Sequence, residues 1–159
     1  MKAASGPWRV GQALVLKTEA VTTEQLVRYA GASEDYSRIH YDKPFAEAAG
    51  LGGIIAHGML TMAFMGRVVS DAAGPQGFVR TLTARFVAPV RPGDVVRVEA
   101  KVLEVRVEAK VLEVREEDAG ALVRLDLAAR VRGRPVAVGE AEFRMAPAVT
   151  EPPARAQPE

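Results

Sequence analysis

The 159-residue sequence predicts a single α+β domain in which a long apolar helix is followed by antiparallel strands. The helix is indicated by the segment from His57 to about Ala72, which is apolar around nearly its whole circumference. The strands are indicated by residues Leu122 to Val131, where apolar and polar side chains alternate. Arg132-Gly133-Arg134 then predicts a hairpin turn into a further strand from Pro135 to Met145.

The composition excludes several classes of protein. A net charge of +1 gives no reason to expect a nucleic acid or an acidic membrane as partner. The absence of cysteine rules out disulfides, thiolate catalysis and a cysteine zinc site. Met1 to Pro7 hold no apolar run of signal-peptide length, and no later run reaches about 18 uninterrupted apolar residues. We therefore expect a cytoplasmic protein that does not enter a membrane.

The first elements of the chain are short. Residues Gln12 to Thr18 alternate moderately and predict a strand. Thr22 and Gln25 form a capping-box pattern at the start of a helix, which we predict from Thr23 to Ala30 with its end at Gly31. A polar stretch from Ala32 to His40 follows, in which apolar residues show no regular spacing.

A second short helix and two more strands are predicted around the apolar helix. Lys43-Pro44 opens the helix, and the glycines at 50, 52 and 53 predict a turn that requires positive φ. The pattern from Phe78 to Val87 predicts one strand, and Asp94 begins another.

A tandem repeat occupies the middle of the second half. Residues Arg97 to Val105 have the same nine-residue sequence as Arg106 to Val114. Because nine is odd, a continuous strand places the equivalent residues of the two copies on opposite faces, so only one copy keeps register without a bulge. A helix over both copies is the alternative, since apolar residues also recur at 4-3-4-3 spacing. We favour a strand with one copy displaced, and we expect the Pro-rich residues 146–159 to form an extended or disordered tail outside a domain at 1–145.

Asp35 and His40 lie five positions apart in a stretch without regular periodicity. Catalytic groups are often placed on loops held by a rigid scaffold. A carboxylate and an imidazole that converge can hold and deprotonate one water molecule. The alternative is an aspartate that caps the next turn and a histidine hydrogen-bonded in the core.

His57-Gly58 precedes the apolar helix. Free amides at a helix N-terminus favour a developing negative charge, and Gly58 would let a substrate oxygen approach the backbone. A glycine needed only for close packing explains the same residue equally well. We interpret His57 as structural. We expect no metal site, because the chain has two histidines and no third ligand at a recognisable spacing.

The two segments that contain these residues resemble motifs of the MaoC-like branch of the hotdog fold. The first runs from Ala32 to Asp42 and contains Asp35 and His40, and the second is Ile55-Ala56-His57-Gly58-Met59-Leu60. The resemblance is dense from Tyr29 to about Ser70 and extends loosely to Met145. It implies a single hotdog domain, in which an antiparallel sheet wraps around the central helix at about 57–72.

The resemblance also implies an activity, the reversible hydration of trans-2-enoyl thioesters to (R)-3-hydroxyacyl thioesters. It implies Asp35 and His40 as the catalytic pair and the Gly58 amide as the donor to the thioester oxygen. Coenzyme A or an acyl carrier protein would carry the acyl group, with no metal or redox cofactor, and the protein would be a homodimer or a higher homo-oligomer. The remaining expected site residues are Ser37 and His57 as loop support, and Ile55, Met59 and Met62 as substrate contacts.

The chain departs from the family pattern at three positions of the first motif. Glu34, Ser37 and Arg38 stand where the family has Gly, Asn and Pro. Glu34 adds a like charge beside Asp35, and Arg38 is expected to offset it. These departures keep two alternatives open, a non-catalytic acyl-thioester-binding subunit of a heteromeric dehydratase and a hotdog acyl-CoA thioesterase.

Overall fold

A six-stranded antiparallel sheet forms the framework of the domain, in a computed structural model that describes residues 8–108 and 120–145. The strands lie in the order β1-β4-β5-β6-β2, and β3 also pairs with β6. The helices are α1 (Thr23–Ser33), α2 (Lys43–Ala48) and α3 (Gly58–Ala73). The strands are β1 (Ala13–Ala20), β2 (Gly77–Leu82), β3 (Arg85–Phe86), β4 (Val95–Glu108), β5 (Gly120–Val131) and β6 (Arg134–Met145).

The helix α3 packs one face against the inner surface of the sheet. Its buried residues recur every three or four positions, as expected for one side of a helix: Leu60, Thr61, Met65, Val68, Val69, Ala72 and Ala73. The opposite side is open, since Met59 is 54% exposed and Ala63 is exposed as well. The predicted helix is confirmed, and within the described residues the sheet covers one side of it. Within the described residues, no helix is both long and apolar enough to cross a bilayer.

The first copy of the repeat lies in β4, and the strand alternative is confirmed for the described part of the two copies. Val98, Ala100 and Val102 face the core and pair with β5. The register then shifts at Leu103, which is 42% exposed, so that Val105 rather than residue 104 turns toward the core. This bulge changes the phase of the strand within the first copy, three residues before the second copy begins. Residues 109–119, which hold most of the second copy, lie outside the described residues, as does the tail from Ala146.

The hairpin between β5 and β6 is confirmed, and the strand predicted from Phe78 to Val87 is not continuous. Arg132 and Gly133 form the hairpin turn with φ of 49° and 79°. The chain pairs with β6 as β2, leaves the ladder, and pairs again as β3. The interruption falls at Thr83, whose amide and hydroxyl both donate to the Glu140 carbonyl. Period-two alternation continues across such a break, so the sequence pattern does not reveal it.

The helix α1 begins as predicted and ends later than predicted. The Thr22 hydroxyl accepts a hydrogen bond from the Gln25 amide and caps the first turn. The helix then continues through Gly31 to Ser33, and Glu34 ends it in the left-handed conformation with φ 56° and ψ 20°. The predicted stop at Gly31 is wrong, because the residue that reverses the chain is Glu34. Asp35 therefore comes directly after a helix end rather than in the middle of a long loop.

Candidate active site

Asp35 and His40 lie side by side. The Asp35 Oδ2 is 3.8 Å from the His40 Nε2. Asp35 follows α1, and His40 is the last residue of a 3₁₀ turn at Arg38–His40. The imidazole is buried and the carboxylate side chain is half exposed. The fold therefore brings together the carboxylate and the imidazole that the sequence predicted as a pair, with the half-exposed Asp35 next to the buried His40 ring.

The hydrogen bond on the far side of the His40 ring fixes its tautomer. The His40 Nδ1 lies 2.8 Å from the Ile55 carbonyl oxygen. A carbonyl only accepts, so Nδ1 carries the proton and donates it. In the neutral ring the Nε2 lone pair therefore faces Asp35. An ionised carboxylate is also an acceptor, so both atoms present lone pairs to the space between them.

A water molecule fits between these two acceptors. At hydrogen bonds of about 2.8 Å to each atom, a separation of 3.8 Å gives an angle of roughly 85° at the water oxygen. One water can therefore donate one hydrogen to Asp35 and the other to His40. The arrangement can hold a water molecule and remove a proton from it.

His57 holds the backbone of Asp35 and supports the His40 ring from one side. Its Nε2 lies 3.1 Å from the Asp35 carbonyl oxygen, and its ring stacks on His40 with centroids 3.7 Å apart. His57 is 1% exposed, and burial is the main cause that lowers its pKa, with the nearby His40 acting in the same direction. The Nδ1 of His57 is buried and has no hydrogen-bond partner within the described part of the chain. A neutral imidazole that donates through Nε2 accounts for all of these contacts.

The loop that carries the pair is held through backbone groups and α2. The Ser37 amide donates to the Asp35 Oδ1 at 3.2 Å, while the Ser37 hydroxyl makes no capping bond at the 3₁₀ turn. Arg38 contacts Asp42 and Phe45. Its guanidinium pairs with the Asp42 Oδ2 at 2.6 Å, lies 4.4 Å above the centre of the Phe45 ring, and holds the pKa of Asp42 below its usual value. The observed partner of Arg38 is therefore Asp42, and the expected offset of the Glu34 charge by Arg38 stays a prediction.

Gly58 is the first residue of α3, next to His57. No carbonyl within the helix can accept from its amide, because the first amides of a helix have no intrahelical partner. A Cβ at this position would lie 3.0–3.2 Å from the Phe86 ring. Close packing against Phe86 therefore explains the glycine, and the oxyanion role depends on its amide rather than on the missing side chain.

An apolar cavity of about 290 Å³ opens against His40. It lies between α1 and the segment 36–41, and its walls are Leu26, Val27, Ala30, Tyr36, His40 and Tyr41. The predicted substrate contacts lie elsewhere: Ile55 binds His40 through its carbonyl, Met59 is on the open side of α3, and Met62 is half-buried on the same helix. None of the three lines this cavity. Leu26, Val27 and Ala30 share one face of α1, and that spacing was the only sequence signal for the cavity.

The site also brings together three groups that can bind metals, although the sequence spacing showed no third ligand. Ligand atoms of Asp35, His40 and His57 lie within 4.8 Å of one another. A zinc ion would need to lie in the plane of both imidazoles at about 2.1 Å from each nitrogen. The two rings are stacked with only 24° between their planes, so those planes do not meet at such a distance. The residues do not fit a metal ion in this arrangement.

An antiparallel sheet curled against one long helix, with an acid and an imidazole beside the helix N-terminus, defines a hotdog-fold protein of the hydratase and dehydratase class. Residues 7–120 match the family model described as a MaoC like domain. The chain belongs to that family.

Relatives and solved structures agree with this assignment. The chain is 34% identical over 97 residues to a 3-hydroxybutyryl-CoA dehydratase from Methylorubrum extorquens, an alignment that covers 60% of this chain and 61% of the relative. The R-hydratase PhaJ1 from Pseudomonas aeruginosa is 28% identical with a TM-score of 0.70, over 95% of this chain and 94% of that one. The (R)-hydratase from A. caviae shares the fold at 24% identity and a TM-score of 0.72, over 90% and 99% of the two chains.

The curated relatives are only partly covered. The chain spans less than two thirds of the Methylorubrum dehydratase, and an alignment to the beta subunit of a fatty acid synthase from Aspergillus oryzae covers 4% of that protein. The names of the relatives define a family of hydro-lyases, hydratases and dehydratases of fatty acid metabolism.

Proposed function

We propose that the protein catalyses the reversible addition of water to trans-2-enoyl thioesters, giving (R)-3-hydroxyacyl thioesters. The observation that carries the proposal is the separation of 3.8 Å between the Asp35 Oδ2 and the His40 Nε2, with the His40 Nδ1 hydrogen-bonded to the Ile55 carbonyl. Relatives named as 3-hydroxybutyryl-CoA dehydratase and as R-hydratase support the substrate class and the stereochemistry.

The reaction begins with a water molecule held between Asp35 and His40. The pair takes one proton from this water as its oxygen forms a bond to C3 of the enoyl group. Electrons of the C2–C3 double bond move toward the thioester carbonyl, and negative charge develops on its oxygen. The same proton is then delivered to C2 from the same face, so that the elements of water add syn and the catalyst is restored.

The Gly58 amide stabilises the charge on the thioester oxygen. A backbone N–H at a helix N-terminus, aimed at an oxygen that becomes negative, acts without reorganisation during the reaction. His57 and the Ser37 amide position the pair, since they bond to the main chain and the carboxylate of Asp35. Ile55, Met59 and Met62 remain proposed as substrate contacts on the α3 side of the site. Coenzyme A or an acyl carrier protein carries the acyl group, and the reaction needs no metal or redox cofactor.

The proposed functional unit is a homodimer or a higher homo-oligomer. The open side of α3 exposes Met59, and the edge strand β2 exposes Phe78 to 71%. Exposed apolar side chains beside an unpaired strand edge are typical of a surface that another chain covers. The mass of the purified protein in solution tests this part of the proposal.

The activity is tested with purified protein and a trans-2-enoyl-CoA, by following the loss of the conjugated double bond. The informative variants are Asp35→Asn, which keeps an acceptor for the Ser37 amide, and His40→Asn, whose amide can still donate to the Ile55 carbonyl. Each is expected to lower kcat/KM by about 10²–10⁴-fold. Asp71→Asn on the surface of α3 is the matched control and should keep the wild-type rate.

Three outcomes would contradict the proposal. Wild-type rates in both Asp35→Asn and His40→Asn would remove the pair from the mechanism. Release of free coenzyme A without hydration would indicate a thioesterase. A protein that is inert alone and active only with a second, different chain would indicate a binding subunit.

A further inference from the structure

We propose that Arg91 is a positioning residue for the reaction, and that it orients the His40 ring by holding the backbone segment 51–56. Arg91 lies in the connection between β3 and β4, outside both motifs of the site. The inference rests on the proposed hydratase function, because His40 is the imidazole that shares the water molecule with Asp35.

The segment 51–56 needs support from outside. It has no helix or strand of its own, and Gly52 and Gly53 adopt positive φ of 66° and 131°. Glycine loses more conformational freedom on folding than any other residue, so contacts with other parts of the chain must hold such a segment in one conformation. The segment contains the Ile55 carbonyl, which accepts from the His40 Nδ1 at 2.8 Å. The orientation of the ring therefore depends on what holds this segment.

Arg91 and its neighbour Val90 hold the segment at both ends. The Arg91 Nη1 donates to the Gly53 carbonyl at 3.3 Å, and its Nη2 donates to the Leu51 carbonyl. The planar guanidinium presents its donors in a fixed fork, so the two bonds fix both carbonyls relative to one group. At the other end of the segment, the Val90 carbonyl accepts from the Ala56 amide at 2.7 Å.

A further backbone bond joins the segment to the loop of the catalytic pair. The Ile55 amide donates to the Ile39 carbonyl at 3.1 Å. Ile39 belongs to the same 3₁₀ turn as His40, so this bond ties the segment to the loop that carries the ring and not to the sheet. The bonds from Val90 and Arg91 supply the connection to the sheet.

The position of Arg91 is fixed by the turn that it begins. Pro92 and Gly93 are central in this turn, and Gly93 has the positive φ, 90°, that a type II turn requires. The Asp94 amide donates to the Arg91 carbonyl at 3.0 Å, and the Asp94 Oδ2 accepts from the Arg91 amide at 2.9 Å. The turn is joined to Val21, the residue after β1, by backbone bonds of 2.7 and 2.9 Å. Arg91 therefore connects a well-held turn to a segment that lacks its own structure.

Loss of these bonds should act on the chemical step. If the Ile55 carbonyl moves, the His40 ring is free to turn or to change the nitrogen that carries its proton. A misplacement of about 1 Å at a catalytic group can lower a rate by roughly 10²-fold. The guanidinium acts on the base and not on the substrate, so kcat should fall while KM stays close to the wild-type value.

The kinetic experiment measures kcat and KM for trans-2-enoyl-CoA hydration in the wild type, Arg91→Ala and Arg91→Met. Arg91→Ala leaves space for added guanidinium ion at millimolar concentration. Arg91→Met keeps the apolar stem without any donor, so it tests the same bonds if Arg91→Ala does not fold. The matched control is Arg132→Ala, because the Arg132 side chain is 87% exposed and pairs with Asp94 of the same turn at 3.7 Å. Circular dichroism verifies that each protein is folded.

The orientation of the ring is measured separately by nitrogen NMR on untagged protein labelled with ¹⁵N-histidine, at a pH where the imidazole is neutral. The chain has two histidines, so His57→Gln assigns the signals. The wild-type His40 should show one tautomer, with the proton on Nδ1, because Nδ1 donates to the Ile55 carbonyl. Arg91→Ala and Arg91→Met should show a mixture of the two tautomers. An arginine that only stabilises the fold would change Tm and leave the tautomer unchanged.

Arg91→Ala and Arg91→Met are expected to lower kcat by about 10–100-fold, with KM within about threefold of the wild type. Added guanidinium should raise the kcat of Arg91→Ala at least about threefold and restore the single tautomer, without an effect on the wild type. Arg132→Ala should behave as wild type, since an exposed ion pair contributes little.

A wild-type kcat in the Arg91 variants, or a lower kcat with an unchanged His40 tautomer, would overturn this inference and leave the hydratase function intact. Absence of hydration by the wild type would refute the proposed function. The NMR comparison would still decide whether Arg91 orients His40.

Discussion

The backbone conformation of Glu34 predicts that replacing this residue by glycine stabilises the protein. Glu34 ends α1 with φ 56° and ψ 20°, a left-handed conformation that costs an L-residue about 1–2 kcal/mol and costs glycine almost nothing. Glycine loses about 0.5–1 kcal/mol more backbone entropy on folding than alanine. The difference leaves a gain of about 0.5–1 kcal/mol for Glu34→Gly.

Gly31 predicts the opposite exchange in the same helix. It lies inside α1 without a positive φ, and a Cβ built there meets nothing within 4 Å. Gly31→Ala should therefore add the usual helix-interior gain of about 0.8–1 kcal/mol. The two exchanges together move the glycine from the helix interior to the residue that ends the helix.

Thermal unfolding by circular dichroism measures these changes. For a chain of this size, about 1 kcal/mol corresponds to roughly 2–4 °C in Tm. Glu34→Gly is thus expected to raise Tm by about 1–4 °C, and Gly31→Ala by a similar amount. The matched control is Ala32→Gly, which introduces a glycine into the same exposed turn of the helix and should lower Tm by a comparable amount. If Glu34→Gly lowers Tm as Ala32→Gly does, the left-handed helix end is not where we place it.

Three further predictions concern the second histidine, the helix N-terminus and the repeat. The pKa of His57 is lowered in the folded protein, so the unfolded chain binds the extra proton and stability falls as the pH drops below about 6.5 toward the folded pKa. When the pH is lowered from 7.5 to 5, the midpoint of urea unfolding should therefore fall less in His57→Gln than in the wild type, because glutamine keeps a donor for the Asp35 carbonyl but does not titrate. An equal fall of the midpoint in both proteins would contradict this. Gly58→Ala should lower Tm by about 2–6 °C by displacing Phe86, and adding Phe86→Leu should restore Tm; failure of the second change to restore it would show that the clash lies elsewhere. Deletion of residues 106–114 lets 115–117 take the places of 106–108 opposite β5, which leaves a two-residue hairpin loop before Gly120. The deletion variant should fold and keep its hydration rate within about threefold, and a loss of the native circular dichroism spectrum would refute this register.

The periodic spacing of apolar residues and the residue types at the turns were sufficient to predict the sheet and the main helix. The alternation of β5 reflects a strand with one face on the core, and buried and less buried residues alternate without interruption from Val123 to Ala129. The hairpin at Arg132 and Gly133 was predicted because glycine accepts positive φ. The apolar segment at 57–72 identified α3, which spans Gly58–Ala73. These features depend on residues close together in the chain.

The end of α1 could not be predicted from the same rules. Glycine is the residue that most often ends a helix, so Gly31 was the natural choice. In the structure the helix continues past Gly31 to Ser33. It ends at Glu34, a residue type that has no local preference for positive φ. The backbone there is determined by contacts made later in the chain, above all the hydrogen bond from His57 to the Asp35 carbonyl. Tertiary structure overrides local preference at this position.

The candidate site was predicted in part. The convergence of Asp35 and His40 was expected from their types, their spacing and the resemblance, and the two side chains do lie together. The stacking of His57 on His40 joins residues 17 positions apart, and it could not be read from spacing. The apolar cavity against His40 requires a face of α1 to meet the segment 36–41, and α1 contributes no recognisable binding motif. Contacts between distant segments were the part that the sequence did not reveal.

The central claim is that Asp35 and His40 act as one unit on a single water molecule. The most direct test is a double-mutant cycle on kcat/KM for enoyl-CoA hydration, with Asp35→Asn, His40→Asn and the double variant. If the pair acts as a unit, each single variant loses about 10²–10⁴-fold and the double variant loses no more than the worse single variant. Losses that multiply in the double variant would show that the two residues act independently, and the mechanism of a shared water would be wrong.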